Sequence, residues 1–398
     1  MSFFKVSYRY VFLILSILVI QSCSEDDPAP VVEIEVLEST DRQFTRAAGE
    51  AQGLLNSFSP AIASLIKHDV TFYEITYKTS YKGQEIIASG LVSFPETTEA
   101  VPMVSFHNGT NTQQSAAPTA SSTFKVISGV AGAGYIICIP DYIGFGVSSS
   151  VFHPYYHYQS TADVATDMIR AARELAFQEG YNFNGDLFVS GYSQGGYAAM
   201  AAHKAIEEKP LEGIELIASA PSSGGYDVKG VQEYFFAQTT YDNPYYLAYV
   251  ALSFQSVYDW TQPLSDLFQE PYATNIPDLF DGLNSAGVIN GQLTNVIADL
   301  VQPDMLANID TDPQYDYIVD AFEENSLDNW VPAKRMFLYH GDTDITVPYQ
   351  NSVDTYNRML DLGASESILS FTTLEGKNHG TGFTPYLEAI ISEFEKLK

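Results

Sequence analysis

Six residues carry the strongest chemical signal in this sequence: Gly191-Tyr192-Ser193-Gln194-Gly195-Gly196. They follow the apolar run LFVS and precede the Ala-rich stretch YAAMAAHKAIEEK, so the hexapeptide reads as a sharp turn between a strand and a helix. A serine at such a turn is held out at the sheet edge. Gly191 and Gly195 supply the clearance that a Cβ would remove, and the strained turn keeps Ser193 Oγ accessible as a nucleophile. The start of the helix also sets the Gln194 backbone N–H beside Ser193, where it can stabilise a developing negative charge.

A serine hydroxyl is a weak nucleophile and needs a base, and the base needs an orienting acid. Both stand later in the chain. FLYHGDTDITVP puts Asp342 and Asp344 just past a strand end, and LEGKNHGTGF puts His379 in a Gly-rich turn before the last helix. A second oxyanion donor belongs on the loop after an earlier strand, and VSFHNGTNTQQSAAP fills that place. Gly109 lets the backbone come close to a substrate there, and the Thr110 N–H is the expected donor. His107 reads as a loop-shaping residue.

The elements that must position these groups alternate along the chain. VTFYEITYKTS and QEIIASGLVSFP read as an antiparallel hairpin. VPMVSFHNG, YIICIPDYIGFG, GDLFVSGYSQGG, IELIASAPSSG and RMFLYHGDTD are short apolar runs bounded by Gly, Pro or Asp, as in a parallel sheet covered on both faces. Between the second and third lies TADVATDMIRAARELAFQEG, an amphipathic helix expected to be capped by Ser160 or Thr161 and stopped at Gly180. Strand and helix in repetition predict a doubly wound α/β domain. Residues 227–330 break the rhythm: they hold no such strand, and eleven aromatic residues fall between Tyr226 and Trp260. They are expected to form a helical cap over the carboxyl ends of the strands, where such sheets bind ligands.

These motifs together resemble the α/β-hydrolases, and most closely their secretory lipase and esterase branch. The shared features are the HNGT loop with its downstream AAPT, the PDYIGFG strand end, DMIRAAREL, GYSQGG, the insertion after SAPSSGGYD, and HGDTD with NHG. They run in the family's order over residues 70 to 385. The loop reads H-N-G-T where many relatives read H-G-T or H-G-G. The resemblance implies a Ser-His-Asp triad, and H-G-x-x-D-x-x-V-P selects Asp344 over Asp342 as the acid. Cleavage of carboxylic esters through an acyl-enzyme is the implied reaction, without cofactor or metal. A peptidase or amidase of the same fold, and a surface binding protein with a relic site, are the alternatives.

Composition narrows the partners. The chain has 398 residues, 45% hydrophobic and 17% charged, with 19 Lys and Arg against 49 Asp and Glu, a net charge of -30. That is a globular composition. So negative a surface repels phosphate backbones and anionic lipid headgroups, which excludes nucleic acid and electrostatic membrane docking.

Any membrane attachment must therefore be apolar or covalent. Lys5 and Arg9 precede the run VFLILSILVI at residues 11–20, half the ~20 residues needed to span a bilayer, so residues 1–22 read as a signal peptide. Cys23 then stands where a bacterial lipobox would place its lipidated cysteine, and the following SEDD resembles an outer-membrane sorting signal of Gram-negative lipoproteins. Residues 23–42 form an acidic tether, 43–226 and 331–398 the two parts of the hydrolase core, and export to the outer membrane is expected. Cys138, inside YIICIP, reads as a buried thiol. The glycines at 129 to 134 precede a strand where a dinucleotide fingerprint must follow one. His153 with His157, and Asp310, Asp312 and Asp316, read as packed or solvated polar groups and not as metal sites.

Overall fold

The computed structural model describes residues 35–398. The signal segment, Cys23 and most of the tether lie outside the described residues.

Nine strands form one sheet in the order β1-β2-β3-β5-β4-β6-β7-β8-β9. The expected hairpin is β2 (Val70–Tyr81) and β3 (Gln84–Pro95), paired antiparallel from Tyr81↔Gln84 onward. Lys82 and Gly83 turn it, both at positive φ (51° and 72°), which matches the twist of the flanking strands. β3 joins β5 (Ile136–Pro140) antiparallel. From there β4 (Val101–His107), β6 (Phe183–Tyr192), β7 (Glu215–Ser222), β8 (Arg335–Gly341) and β9 (Leu369–Leu374) complete a parallel sheet. This is the α/β-hydrolase architecture.

The two outermost strands carry no apolar run and were not foreseen. β9 lies at the edge, where Ser370 and Thr373 are partly buried and Thr372 is exposed. β1 (Leu37–Arg46) begins inside the segment that composition assigns to the tether, which corrects its boundary at residue 42. It pairs antiparallel with β2, and its start is fixed by the Glu174 carboxylate, which accepts from the backbone N–H of Val36 (3.1 Å) and Leu37 (2.8 Å). A strand paired on one side needs only one buried face, so polar residues suffice.

Helix α1 (Tyr158–Glu179) packs on one face of the sheet, burying Ala165, Met168, Ala172 and Leu175 against Val92, Met103, Ile136 and Cys138. Its N-cap is His157, whose Nδ1 accepts from the Ser160 N–H (3.3 Å), and not Ser160 or Thr161 as expected; its C-cap is Gly180, left-handed at φ 77°. Helix α2 (Gln194–Glu208) follows β6 on that same face. Cys138 is fully buried, and burial pushes its thiol up to about 12, so it stays protonated.

Between β7 and β8 the chain forms helices α3 (Val228–Phe236) and α4 (Tyr245–Val257), four shorter ones, and then α5 (Asp316–Glu324). No strand interrupts them among the described residues, only isolated bridges at Thr240–Val296 and Phe268–Val301. Their apolar faces make one cluster that runs into Met336 and Leu338 of β8, so the cap shares a core with the sheet. Helix α6 (Tyr349–Asp361) follows β8, and α7 (Phe383–Leu397) packs on the sheet face opposite α1. No helix among the described residues is long and apolar enough to cross a membrane.

Candidate active site

Ser193 sits at the turn from β6 to α2 with φ 63° and ψ -125°, a conformation that costs a non-glycine residue on the order of 1–3 kcal/mol. Its surroundings enforce it. The Ser193 N–H donates to Ser222 O at the end of β7 (2.9 Å), and the Gly191 N–H donates to Tyr386 Oη (2.9 Å), which in turn donates to Ala220 O (2.6 Å). A Cβ on Gly195 would lie 1.9 Å from His107 O, and one on Gly191 would lie 2.0 Å from Gly195 O. The backbones of β4, β6 and α2 thus touch at the nucleophile, and only glycine admits that contact.

The sheet brings the three triad candidates into line. Ser193 Oγ donates to His379 Nε2 at 2.9 Å, and His379 Nδ1 donates to Asp344 Oδ2 at 2.6 Å. The Tyr192 hydroxyl donates to His379 O (2.7 Å), tying the histidine's turn to the residue before the nucleophile. Asp344 is buried, and its Oδ1 accepts from the Thr346 (2.9 Å) and Val347 (3.1 Å) N–H groups. Burial alone would raise its carboxyl, but hydrogen bonds from His340 and His379 outweigh that and hold it down at about 2, so it is ionised at neutral pH. Asp342 is exposed and does not reach His379; it accepts from the Gly376 N–H (2.7 Å) and ties down the turn that carries the histidine.

The oxyanion side is built from two backbones. Gln194 is the first residue of α2, and its N–H has no intrahelical acceptor. Gly109 lies against Ser193: a Cβ there would be 3.5 Å from Ser193 Cβ and 4.0 Å from Oγ. The next residue, Thr110, shares a hydrogen bond between its hydroxyl and Tyr155 Oη (2.8 Å). His107 is fully buried, and burial pushes it down to about 3, so it is neutral and unfit as a base.

Several residues enter the site that the sequence did not single out for it. The Gln194 side-chain N–H donates to His153 Nε2 (2.7 Å), and His153 Nδ1–H donates to Ile143 O (2.7 Å). Burial pushes His153 down to about 4, and the neutral ring fixes the residue whose backbone faces the oxyanion. His340 puts a second imidazole on Asp344: its Nε2–H points at Oδ2 (3.1 Å) and at Val347 O (3.1 Å), while Nδ1 accepts from Ser352 (2.7 Å). His153 and His157 have separate partners, the first Gln194 and the second the α1 N-terminus. The pairing of His153 with Gln194 is not visible in spacing, because it joins segments 41 residues apart.

Ser193 opens into a narrow apolar cleft walled by Tyr155, Tyr156, Val231, Gln232, Phe235, Tyr246, Val250 and Val347. Two of the eleven cap aromatics, Phe235 and Tyr246, reach it. Phe236, Phe254 and Trp260 line a second narrow gap deeper in the cap. The other six pack elsewhere, so the aromatic density is mostly cap core.

The sequence matches the model of one family, and the fold matches several solved structures. The model of the secretory lipase family matches residues 112–382. Among solved structures, a candidate hydrolase from Legionella pneumophila superimposes with a TM-score of 0.82 at 24% identity, over 91% of this chain and 98% of that one. The rice cell wall degrading esterase LipA from Xanthomonas oryzae gives 0.77 at 22% identity, covering 91% and 99%. Candida antarctica lipase A in its closed state gives 0.65 at 13% identity, covering 91% and 82%. No curated protein matches by sequence.

Proposed function

The chain belongs to the secretory lipase family, a family of exported ester hydrolases, and from that premise we propose that it is a serine esterase working through Ser193, His379 and Asp344. The observation that carries this reading is the unbroken line Ser193 Oγ, His379 Nε2, His379 Nδ1, Asp344 Oδ2, with Ser193 in a strained turn at the mouth of an apolar chamber. His379 takes the Ser193 proton as Oγ attacks the ester carbonyl. The backbone N–H of Gln194, with Thr110 or Gly109 from the facing loop, receives the oxyanion. The imidazolium, steadied by ionised Asp344, protonates the departing alcohol and leaves an acyl-enzyme. Water, deprotonated by the same histidine, then attacks the acyl-enzyme and regenerates the serine.

The chamber's apolar walls favour an acyl chain, which separates an esterase from a peptidase that would need a charged subsite for a peptide terminus. A fluorophosphonate probe followed by a panel of p-nitrophenyl esters and aminoacyl anilides tests the assignment. Labelling at Ser193 with faster ester cleavage is the expected result; faster anilide cleavage would move the chain to the amidases, and absence of labelling would leave a binding protein.

For location, the leader pattern and Cys23 support export with lipid attachment at the new N-terminus. Two or three acyl chains on Cys23 would hold the protein on a membrane despite its negative charge. Cys23→Ser should move it from the membrane to the soluble fraction, and a mature N-terminus found elsewhere and unmodified by mass spectrometry would refute the attachment.

A further inference from the structure

Helix α3 buries one stripe, Val228, Val231, Gln232 and Phe235, at the spacing of a helix face turned to a core. Three of these four are apolar. Gln232 is the exception, and it is as buried as the rest, at 4% exposure. Its side-chain amide makes no hydrogen bond to any described residue, and it is not among the polar atoms sealed from solvent, so it stays open toward the gaps it lines. A polar group that breaks the local apolar pattern and finds no partner in the protein is satisfied only through the gap it faces, and such violations concentrate where a ligand makes up the loss.

Its position says which ligand. Gln232 and Val250 are the two residues common to the walls of both gaps, the chamber that holds Ser193 and the deeper one lined by Phe236 and Trp260. Of the two, only Gln232 has polar atoms. An acyl chain reaching from Ser193 into the deeper gap passes its amide. Resting on the esterase reading above, we infer that Gln232 is a specificity-determining residue that hydrogen-bonds an oxygen carried on the acyl chain, so that the preferred substrates are esters of hydroxy- or oxo-substituted aliphatic acids. A plain alkyl chain would cover the amide and leave it unpaired, whereas a hydroxyl or keto oxygen at that depth pairs it. Sites built around a buried hydrogen bond discriminate strongly against analogues that lack it.

The test uses pairs of p-nitrophenyl esters of equal chain length, plain and carrying one hydroxyl or keto group at successive carbons. The wild-type enzyme should show one position along the chain at which the oxygenated ester gains roughly ten- to a hundredfold in kcat/KM over its plain partner. Gln232→Met, close in volume and without the amide, should erase that peak and improve plain chains. No peak at any position in the wild-type enzyme overturns the inference with no variant involved, and a peak that survives in Gln232→Met overturns it as well. Wild-type enzyme labelled at Ser193 that shows no peak leaves the esterase reading standing; enzyme that is not labelled and cleaves no ester removes both.

Discussion

The sheet and the cap solve opposite problems with the same chain. In the sheet, polar groups meet through backbone geometry: Ser193, Gln194, Gly109 and the Asp344 turn are placed by the paired ends of adjacent strands, and every buried polar atom of the triad line has a partner. In the cap, short helices bury aromatic rings in an apolar cluster, and what they leave open are narrow apolar gaps. Chemistry therefore depends on sheet residues almost absolutely, while substrate choice depends on cap residues by degrees. The expected effects of mutation follow this division.

Ser193→Ala should produce the largest loss. It should abolish fluorophosphonate labelling and lower ester turnover by several orders of magnitude with circular dichroism unchanged, and removing His379 in addition should add little. Retained labelling would move the nucleophile away from the sheet turn.

The acid comes next. Asp344→Asn should cut kcat by about 10⁴-fold, because the amide permits the wrong histidine tautomer. Asp342→Asn, which keeps an acceptor oxygen for the Gly376 N–H and loses only the charge, should cost less than about tenfold. The reverse ranking in steady-state kinetics would contradict the hydrogen-bond line.

Cap substitutions should act on slopes and not on chemistry. Each methylene buried in the chamber contributes up to roughly 0.8 kcal/mol, so kcat/KM should rise with acyl length and level off where the walls close. Phe235→Ala, on the chamber wall, should flatten that rise more than Phe236→Ala, on the deeper gap. A profile that peaks at acetate in the wild-type enzyme would show that the chamber holds no acyl chain.

The smallest effect is on acid stability. The Asp344 carboxyl is lowered from 3.8 to about 2 on folding, so the unfolded chain takes up its proton first as pH falls. The stabilisation is complete above roughly pH 4 and lost as pH drops toward 2, amounting to roughly 2 kcal/mol. Urea unfolding at pH 5 and pH 2.5 should show this loss reduced in Asp344→Asn.

Legibility divided along the same line. The five inner runs, the hairpin, α1 and the strand–serine–helix turn were readable because two-sided burial, helical periodicity and glycine clearance each leave a local mark in residue order. The edge strands β1 and β9 were not, because a strand buried on one side tolerates polar residues such as Ser39, Thr40 and Thr372. His157 in place of Ser160 as the cap of α1 was also hidden, since any acceptor one residue before the helix can serve.

By itself, the sequence determined the chemistry available: a serine at a turn, a later acid and histidine, and an aromatic insertion between them. Whether Asp342 or Asp344 reaches the histidine, which of the aromatics face Ser193, and that His153 and His340 stand behind Gln194 and Asp344 were decided only by the tertiary structure. Apart from the short span between His340 and Asp344, those are contacts between segments tens of residues apart, and their distances are set by strand register and cap packing, quantities that no local pattern of residue types encodes.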